Sequence, residues 1–166
     1  HGRPAMDPMC VDSCFCDESS DRAEEIAHGH KNVTVFDWGK RGEVLADANI
    51  LVNSTSLGLE GKPPLQIDLA KLNPAALVND IVYVPLMTDL LRQAEALGNP
   101  IVTGIGMLLH QARPAFQAWF GVLPEVTAAL VAVALATGGP WLMAFEKAGG
   151  ALVNQPLGDG LAVLTA

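Results

Sequence analysis

The stretch Ile101-Val102-Thr103-Gly104-Ile105-Gly106-Met107-Leu108-Leu109-His110-Gln111 joins a short β-branched run to a helical pattern. The first three residues predict a strand, and the apolar residues that follow recur at steps of three and four, which predicts an amphipathic helix. The apolar stripe of this helix consists of Ile105, Leu108, Leu109, Ala112, Phe116 and Trp119. A strand that leads directly into a helix favours an α/β fold.

A second stripe of the same helix carries a different chemistry. Gly104, Met107 and Gln111 are spaced i, i+3 and i+7, so they share a face. An exposed backbone, a flexible thioether and an uncharged amide suit a flat, partly polar ligand. The alternative is a buried helix whose Gln111 meets solvent, and the pattern by itself leaves both interpretations open.

The rest of the chain repeats the alternation of strand and helix. Predicted strands cover 13–16, 33–36, 50–53, 77–85 and 101–103. Predicted helices cover 21–28, 40–46, 89–97, 104–120 and 124–137. Because the connections are short and the two types of element alternate, the sequence predicts an α/β fold with a mostly parallel sheet flanked by helices.

Polar residues follow two of the predicted strands. Asp17 and Glu18 end the first strand, where an acid can accept a hydrogen bond from the ribose 2′-hydroxyl of NAD, although an ordinary acidic helix start explains them equally well. A longer polar turn, Asn53-Ser54-Thr55-Ser56-Leu57-Gly58-Leu59, follows the third strand. Ligands of open α/β sheets bind outside the carboxyl ends of the strands, so this turn is well placed to meet one.

Composition narrows the function classes. The chain has 166 residues, which predicts one domain, or one domain and a fragment of another. Half of the residues are hydrophobic, enough for a real core, and the net charge is −8. The chain has no run of Lys and Arg, so nucleic acid is an unexpected partner, and its apolar runs are too short to span a bilayer. Cys14 and Cys16 fit buried thiols better than a metal site with His28 and His30, and we expect no metal. The three cysteines form no disulfide framework, so we expect a cytoplasmic protein.

Three blocks of the chain resemble the shikimate dehydrogenase family. Asn53–Leu59 is similar to its Asn-Ala-Thr-(Pro/Ser)-Leu-Gly-Met segment. Asn79-Asp80-Ile81-Val82-Tyr83-Val84-Pro85-Leu86-Met87-Thr88 is similar to its Asp-x-Val-Tyr-x-Pro-x-x-Thr strand and turn. Gly104–Gly121 is similar to its Gly-x-Gly-Met-Leu-x-x-Gln-Ala…Phe…Trp-x-Gly helix. The three blocks occur in the family's order, and the resemblance extends over 11–137.

The resemblance implies a fold, a reaction and a set of site residues. The family reduces 3-dehydroshikimate to shikimate with NADPH in aromatic amino-acid biosynthesis, and this chain matches its Rossmann-like, cofactor-binding half. Ile81 and Gly104 match positions whose backbone lines the nicotinamide end of the cofactor, and Met107 matches a residue that packs beside the nicotinamide. Tyr83 and Gln111 match side chains that reach the substrate, whose hydroxyl groups need neutral hydrogen-bond partners.

The sequence also departs from the family. The family's catalytic Lys and Asp lie in its substrate domain, in a segment like Asn-Val-Thr-x-Pro-x-Lys, of which Asn32-Val33-Thr34 repeats only three letters. The first strand and the Gly-x-Gly-Gly-x phosphate loop are also missing, so we expect a Rossmann-like fold truncated at its N-terminal strand and glycine loop, and no catalytic residue. The family's Asn-Arg-(Thr/Ser) turn aligns with Asp17-Glu18-Ser19. The resemblance implies NADP as the cofactor. Glu18, at the position of the family's Arg, would repel the 2′-phosphate, so either the preference has moved toward NAD or this end of the chain is under no functional pressure.

The sequence predicts a division into a truncated dinucleotide-binding domain, 1–137, and an atypical apolar tail of unknown role, 138–166. Within the tail, Leu152-Val153 and Leu161-Ala162-Val163-Leu164 could form short strands. A sheet without its first strand exposes the edges of the neighbouring strands unless the tail covers them, so we expect a homo-oligomer, a poorly folded chain or a separate N-terminal half. A non-catalytic binding module, an inactive fragment and a quinate-specific enzyme remain alternatives.

Overall fold

A computed structural model of the chain describes residues 12–17, 20–137 and 161–165. The described residues form two compact units. The first unit contains the residues up to Thr103 together with the strand at 161–165, and the second unit begins at Gly104. The C-terminal strand therefore belongs with the N-terminal part of the chain rather than with the helices that precede it in the sequence.

The first unit is an α/β unit. Its strands are β1 (Asp12–Asp17), β2 (Val33–Asp37), β3 (Ile50–Asn53), β4 (Leu77–Asp80), β5 (Ile101–Val102) and β6 (Leu161–Thr165). Its α-helices are α1 (Ser20–Ala27) and α2 (Asp89–Ala96), and two 3-10 turns cover Trp38–Lys40 and Val44–Asp47. The second unit contains α3 (Gly104–Phe120) and α4 (Ala128–Thr137).

The described strands form one sheet in the order β2-β1-β6-β3-β4-β5. The pairs β1–β2, β3–β4 and β4–β5 are parallel, as the alternation of strands and helices predicts. Strand β6 is antiparallel to both of its neighbours, β1 and β3. The prediction of a mostly parallel sheet in a Rossmann-like fold is thus confirmed, and so is a strand beginning at Leu161. The predicted strand at Leu152-Val153 lies outside the described residues.

Two predicted elements are wrong in type or extent. The helix predicted at 40–46 is replaced by the two 3-10 turns, because Gly39 and Gly42 interrupt the helical pattern and the Asp37 carboxylate accepts a hydrogen bond from Gly39 N at 2.8 Å. The strand predicted at 77–85 ends at Asp80, because the Asp80 Oδ1 atom accepts a hydrogen bond from Val82 N at 3.0 Å and turns the chain.

The first unit is built around an apolar core under the sheet. Alternate residues of an irregular segment, Leu65, Ile67 and Leu69, are buried in it. The strands and α2 contribute residues with almost no exposed surface, among them Leu51, Val78, Leu90 and Leu91. This packing fixes where the carboxyl ends of β3 and β4 lie relative to the start of α2.

Helix α2 ends in a tight glycine turn. Asn99 N donates to Ala94 O at 3.0 Å and Gly98 N donates to Glu95 O at 3.0 Å, with Gly98 at a φ of +86°. The buried Asn99 amide then donates to the carbonyls of Asn73 and Ala76, at 2.8 and 3.0 Å. The end of α2 is therefore tied to the loop that leads into β4.

The second unit confirms the predicted helix from Gly104 to Phe120 and refines its apolar stripe. Ile105 and Leu108 are buried, whereas Trp119 is 46% exposed, so the stripe is buried only toward the start of α3. Helix α4 begins at Ala128 rather than near Pro124, and Leu130 N donates to the Thr127 hydroxyl at 3.2 Å. Among the described residues, no helix is both long and apolar enough to cross a membrane.

Candidate functional site

Four buried polar residues meet at the carboxyl ends of β3 and β4. They are Asn53, the last residue of β3, Thr55 in the following turn, Asp80, the last residue of β4, and Thr88 at the start of α2. Buried polar groups are costly unless they are paired, and here each side chain bonds to another member of the group. We refer to these four residues as the strand-end network.

Asp80 is the centre of the strand-end network. Its Oδ1 atom accepts from Asn53 Nδ2 and from Val82 N, each at 3.0 Å, and its Oδ2 atom accepts from Thr88 Oγ1 at 2.6 Å. Burial raises the pKa of the Asp80 carboxyl above its usual value of 3.8, while the hydrogen bonds from Thr88, Val82 and Asn53 act in the opposite direction. The network therefore holds a carboxylate that is well bonded but poorly solvated.

Thr88 connects the network to α2. Its hydroxyl donates to Asp80 and accepts a hydrogen bond from Leu91 N at 3.3 Å, which caps the helix. A single hydroxyl thus couples the end of β4 to the start of α2.

Asn53 and Thr55 shape the polar turn after β3. Asn53 Oδ1 accepts from Thr55 N at 3.1 Å and from Thr55 Oγ1 at 2.7 Å, and Thr55 Oγ1 accepts from Leu57 N at 3.0 Å. Asn53 Nδ2 also donates to Leu57 O at 3.2 Å. Gly58 then adopts a φ of +90°, a conformation that side chains rarely allow. The turn is therefore held by its own side chains.

The segment after β4 is bound to the same turn. Ile81 N donates to Asn53 O at 3.0 Å, and Glu60 N donates to Val84 O at 2.9 Å. Tyr83, between these two anchors, is half-buried. Ile81 and Tyr83, predicted to contact cofactor and substrate, thus lie in a segment whose backbone is fixed at the carboxyl edge of the sheet.

The other predicted contact residues lie on α3, in the second unit. Gly104 is buried at the first position of the helix, Met107 is 42% exposed and Gln111 is exposed. The helical spacing of these three residues is confirmed, so they share one stripe. Their contacts with cofactor and substrate stay predictions.

The acidic end of β1 is described in part. Asp17 is the last residue of β1 and pairs in register with Asp37, the last residue of β2. The Asp37 carboxylate is already bonded to Gly39 N. Glu18 and Ser19, the other predicted cofactor contacts, lie outside the described residues.

The sequence interpretation missed the role of Asp80 and its link to Asn53. The available signal was that an amide and an acid each end a buried strand, next to a Thr that caps the following helix. Among the residues that the structure describes, no three His, Cys, Asp or Glu side chains are grouped to hold a metal ion.

Among known sequences, the chain is similar to shikimate dehydrogenases. The chain is 57% identical over 103 residues to a shikimate dehydrogenase (NADP(+)) from Paramagnetospirillum magneticum, a match that covers 62% of this chain and 37% of that protein. It is 53% identical over 106 residues to the enzyme of the same name from Paracoccus denitrificans, covering 63% of this chain and 38% of that protein. The chain thus spans a little over a third of the length of these relatives. No family model matches the chain.

Among solved structures, the chain is similar to dehydrogenases that act on quinate or shikimate. The chain resembles quinate dehydrogenase from Corynebacterium glutamicum in complex with NAD, with a TM-score of 0.65 and 30% identity over 74% of this chain and 45% of that one. It also resembles shikimate 5-dehydrogenase from Thermus thermophilus in complex with NADP(H) and shikimate, with a TM-score of 0.54 and 32% identity over 66% of this chain and 40% of that one. In both sequence and fold, the chain is therefore similar to the C-terminal part of shikimate dehydrogenases.

Proposed function

We propose that the chain supplies the part of a shikimate dehydrogenase that binds the nicotinamide end of the cofactor and contacts the substrate. The enzyme as a whole would reduce 3-dehydroshikimate to shikimate with NADPH. The strand-end network carries this proposal, because it fixes the turn after β3 and the segment after β4 at the sheet edge where open α/β folds bind ligands. The 57% identity to an NADP-dependent relative supports it.

The chain's own residues would bind and orient the reactants. The backbone of Ile81 and Gly104 and the side chain of Met107 would hold the nicotinamide, and Tyr83 and Gln111 would hydrogen-bond the substrate hydroxyls. NADPH would supply the hydride, so the contribution of these residues is alignment rather than proton transfer. A phenol and an amide fit this role because they recognise hydroxyl groups without changing the charge of the site.

NAD is a second candidate cofactor. Asp17 and Asp37 end neighbouring strands in register, and the sequence continues from Asp17 with a second acidic residue, Glu18. Carboxylates there suit the 2′-hydroxyl of NAD and repel the 2′-phosphate of NADP. The structural relative in complex with NAD supports this alternative.

Isothermal titration of the chain with each nucleotide tests the cofactor assignment. We expect Glu18→Arg to strengthen NADP binding about tenfold relative to NAD, because one repulsive charge becomes an attractive one near the phosphate. Glu24→Arg makes the same charge change at an exposed position of α1 and serves as the matched control. Equal effects of the two substitutions would show that Glu18 does not face the phosphate.

The substrate contact is tested on α3. We expect Gln111→Ala to weaken shikimate binding in the presence of nucleotide about tenfold, the cost of one or two lost hydrogen bonds. Gln117→Ala removes an exposed amide from the same helix, away from the stripe of Gly104, Met107 and Gln111, and should leave binding unchanged. Loss of binding in both variants, or in neither, would contradict the role of Gln111.

We further propose that this chain by itself is inactive. Its sequence contains neither a segment like Asn-Val-Thr-x-Pro-x-Lys, with the proton-transferring Lys, nor a Gly-x-Gly-Gly-x loop before β1. Without that loop the pyrophosphate has no cradle of backbone amides at a helix N-terminus. Oxidation of shikimate with NADP+, followed by the absorbance of NADPH, should show no rate above buffer, and a protein-dependent rate would refute this proposal.

A further inference from the structure

Strand β6 lies at the centre of the sheet although it comes from the C-terminal end of the chain. It pairs with β1 on one side and with β3 on the other, while β1 and β3 are not hydrogen-bonded neighbours. In a doubly wound sheet with strand order 3-2-1-4-5-6, the central position between these two halves belongs to the first strand. Here a strand of opposite direction fills it.

The register shows how closely β6 fits the gap. Its residues pair with Asp12–Cys16 of β1 and with Ile50–Asn53 of β3. Val163, at its middle, lies opposite Cys14 on one side and Leu51 on the other. Among the described strands, only β6 pairs with the inner edges of β1 and β3, so it supplies the hydrogen-bond partners of backbone groups that are costly to bury unpaired.

The sequence of β6 suits a central strand. Leu161-Ala162-Val163-Leu164 is a continuous apolar run, the pattern of strands covered on both faces. Such an apolar strand is stabilised most when both of its edges are hydrogen-bonded to neighbouring strands and both of its faces are covered. This property favours a place inside a sheet over a place at its edge.

From these observations we propose that the gap between β1 and β3 is a strand-acceptor site. Its ligand is an extended apolar peptide that binds antiparallel to both strands, and its occupant is the C-terminal segment of the same chain, Leu161–Thr165. The site uses the backbone hydrogen bonds of strand addition for affinity and the apolar run for selectivity. This inference is independent of any nucleotide or substrate.

A cross-link to a native cysteine tests the register. Residues directly opposite each other in an antiparallel pair share a face and lie within the reach of a disulfide. In a full-length chain with Cys10→Ser and Cys16→Ala, Val163→Cys should form a disulfide with Cys14 on treatment with the mild thiol oxidant diamide. Ala162→Cys in the same background lies opposite Phe15 and Val52, and should not cross-link.

The yield of the disulfide in each variant, and whether it lies within one chain or joins two chains, distinguishes the outcomes. A disulfide within one chain for Val163→Cys, detected as a linked peptide by mass spectrometry, together with at least tenfold less for Ala162→Cys, supports it. Equal yields for the two variants, or no disulfide in either, would overturn the register. A disulfide that joins two chains on a non-reducing gel would show that the occupant comes from a second copy, and would overturn the assignment to the same chain.

Peptide rescue supplies a second measurement. Val163→Pro in the full chain removes a ladder hydrogen bond and should lower the melting temperature by several degrees. A synthetic peptide of sequence 158–166 should restore the melting temperature of this variant, whereas the same peptide with Pro in place of Val163 should not. An unchanged melt in the variant would refute the site, and so would equal rescue by the two peptides.

Discussion

At the scale of single residues, the strand-end network is a compromise between bonding and solvation. Asp80 accepts hydrogen bonds from Asn53, Val82 and Thr88, which favour the carboxylate, but the carboxyl is buried and its pKa is raised overall. The network therefore specifies the shape of the turn at some cost in stability. Such a trade is common where a fold positions a ligand-binding surface.

The first prediction concerns the pH dependence of stability. A raised pKa means that the folded chain binds the Asp80 proton more tightly than the unfolded chain does, so the contribution of this group is greatest below 3.8 and is lost as pH rises through the raised value. Asp80→Asn should remove this loss. Denaturant unfolding from about pH 4 to about pH 8 should show the free-energy difference between wild type and variant changing in favour of the variant as pH rises. A constant difference would contradict the raised pKa.

The second prediction separates the hydroxyl of Thr88 from its methyl group. Thr88→Val deprives Asp80 of a donor and Leu91 N of its cap, and should lower the free energy of unfolding by about 3 kcal/mol. Thr88→Ser keeps the hydroxyl and removes one methyl group, so it should cost about 1 kcal/mol. Urea unfolding monitored by circular dichroism measures both values, and equal costs would mean that packing, not hydrogen bonding, explains the position.

At the scale of elements, the sequence predicts whether a segment is a strand or a helix better than it predicts where that element ends. Strands β2 and β3 and helix α2 follow from strong periodicity, and Thr88 identifies where α2 begins. The end of β4 is different, because it depends on the Asp80 carboxylate turning back to Val82 N, a contact that periodicity does not show. The predicted site residues of α3 share a stripe, but helical spacing alone cannot say what that stripe contacts.

The third prediction belongs to the C-terminal turn of α2. Gly98 has a φ of +86°, so Gly98→Ala should lower the free energy of unfolding by about 1 kcal/mol through backbone strain, although a Cβ atom there meets open space. Gly98→Asn is the matched control, since Asn tolerates this conformation better and should cost less. If Ala and Asn cost the same in thermal or urea unfolding, left-handed strain is not the reason for this glycine.

At the scale of the whole molecule, the position of β6 is the feature that the sequence could not supply. The apolar run at Leu161 indicates a strand, but its pairing with β1 and β3 is a long-range choice and its direction is opposite to that of its neighbours. The expected homo-oligomer or separate N-terminal half stays a prediction. That prediction assumed that the inner edges of β1 and β3 are unpaired. In the described sheet β6 pairs with both of these edges, so unpaired inner edges no longer argue for an oligomer.

The most direct measurement of the central claim is a titration of the isotopically labelled chain with NADP+ and then shikimate, followed by backbone amide NMR. The fourth prediction is that the shifts concentrate in the turn 53–58, in 81–84 and in the first two turns of α3, 104–111. Met107→Ala should reduce the shifts caused by the nucleotide, and Gln111→Ala those caused by shikimate. Absence of shifts at saturating ligand, or shifts that fall mainly elsewhere in the chain, would contradict the proposal that these segments bind cofactor and substrate.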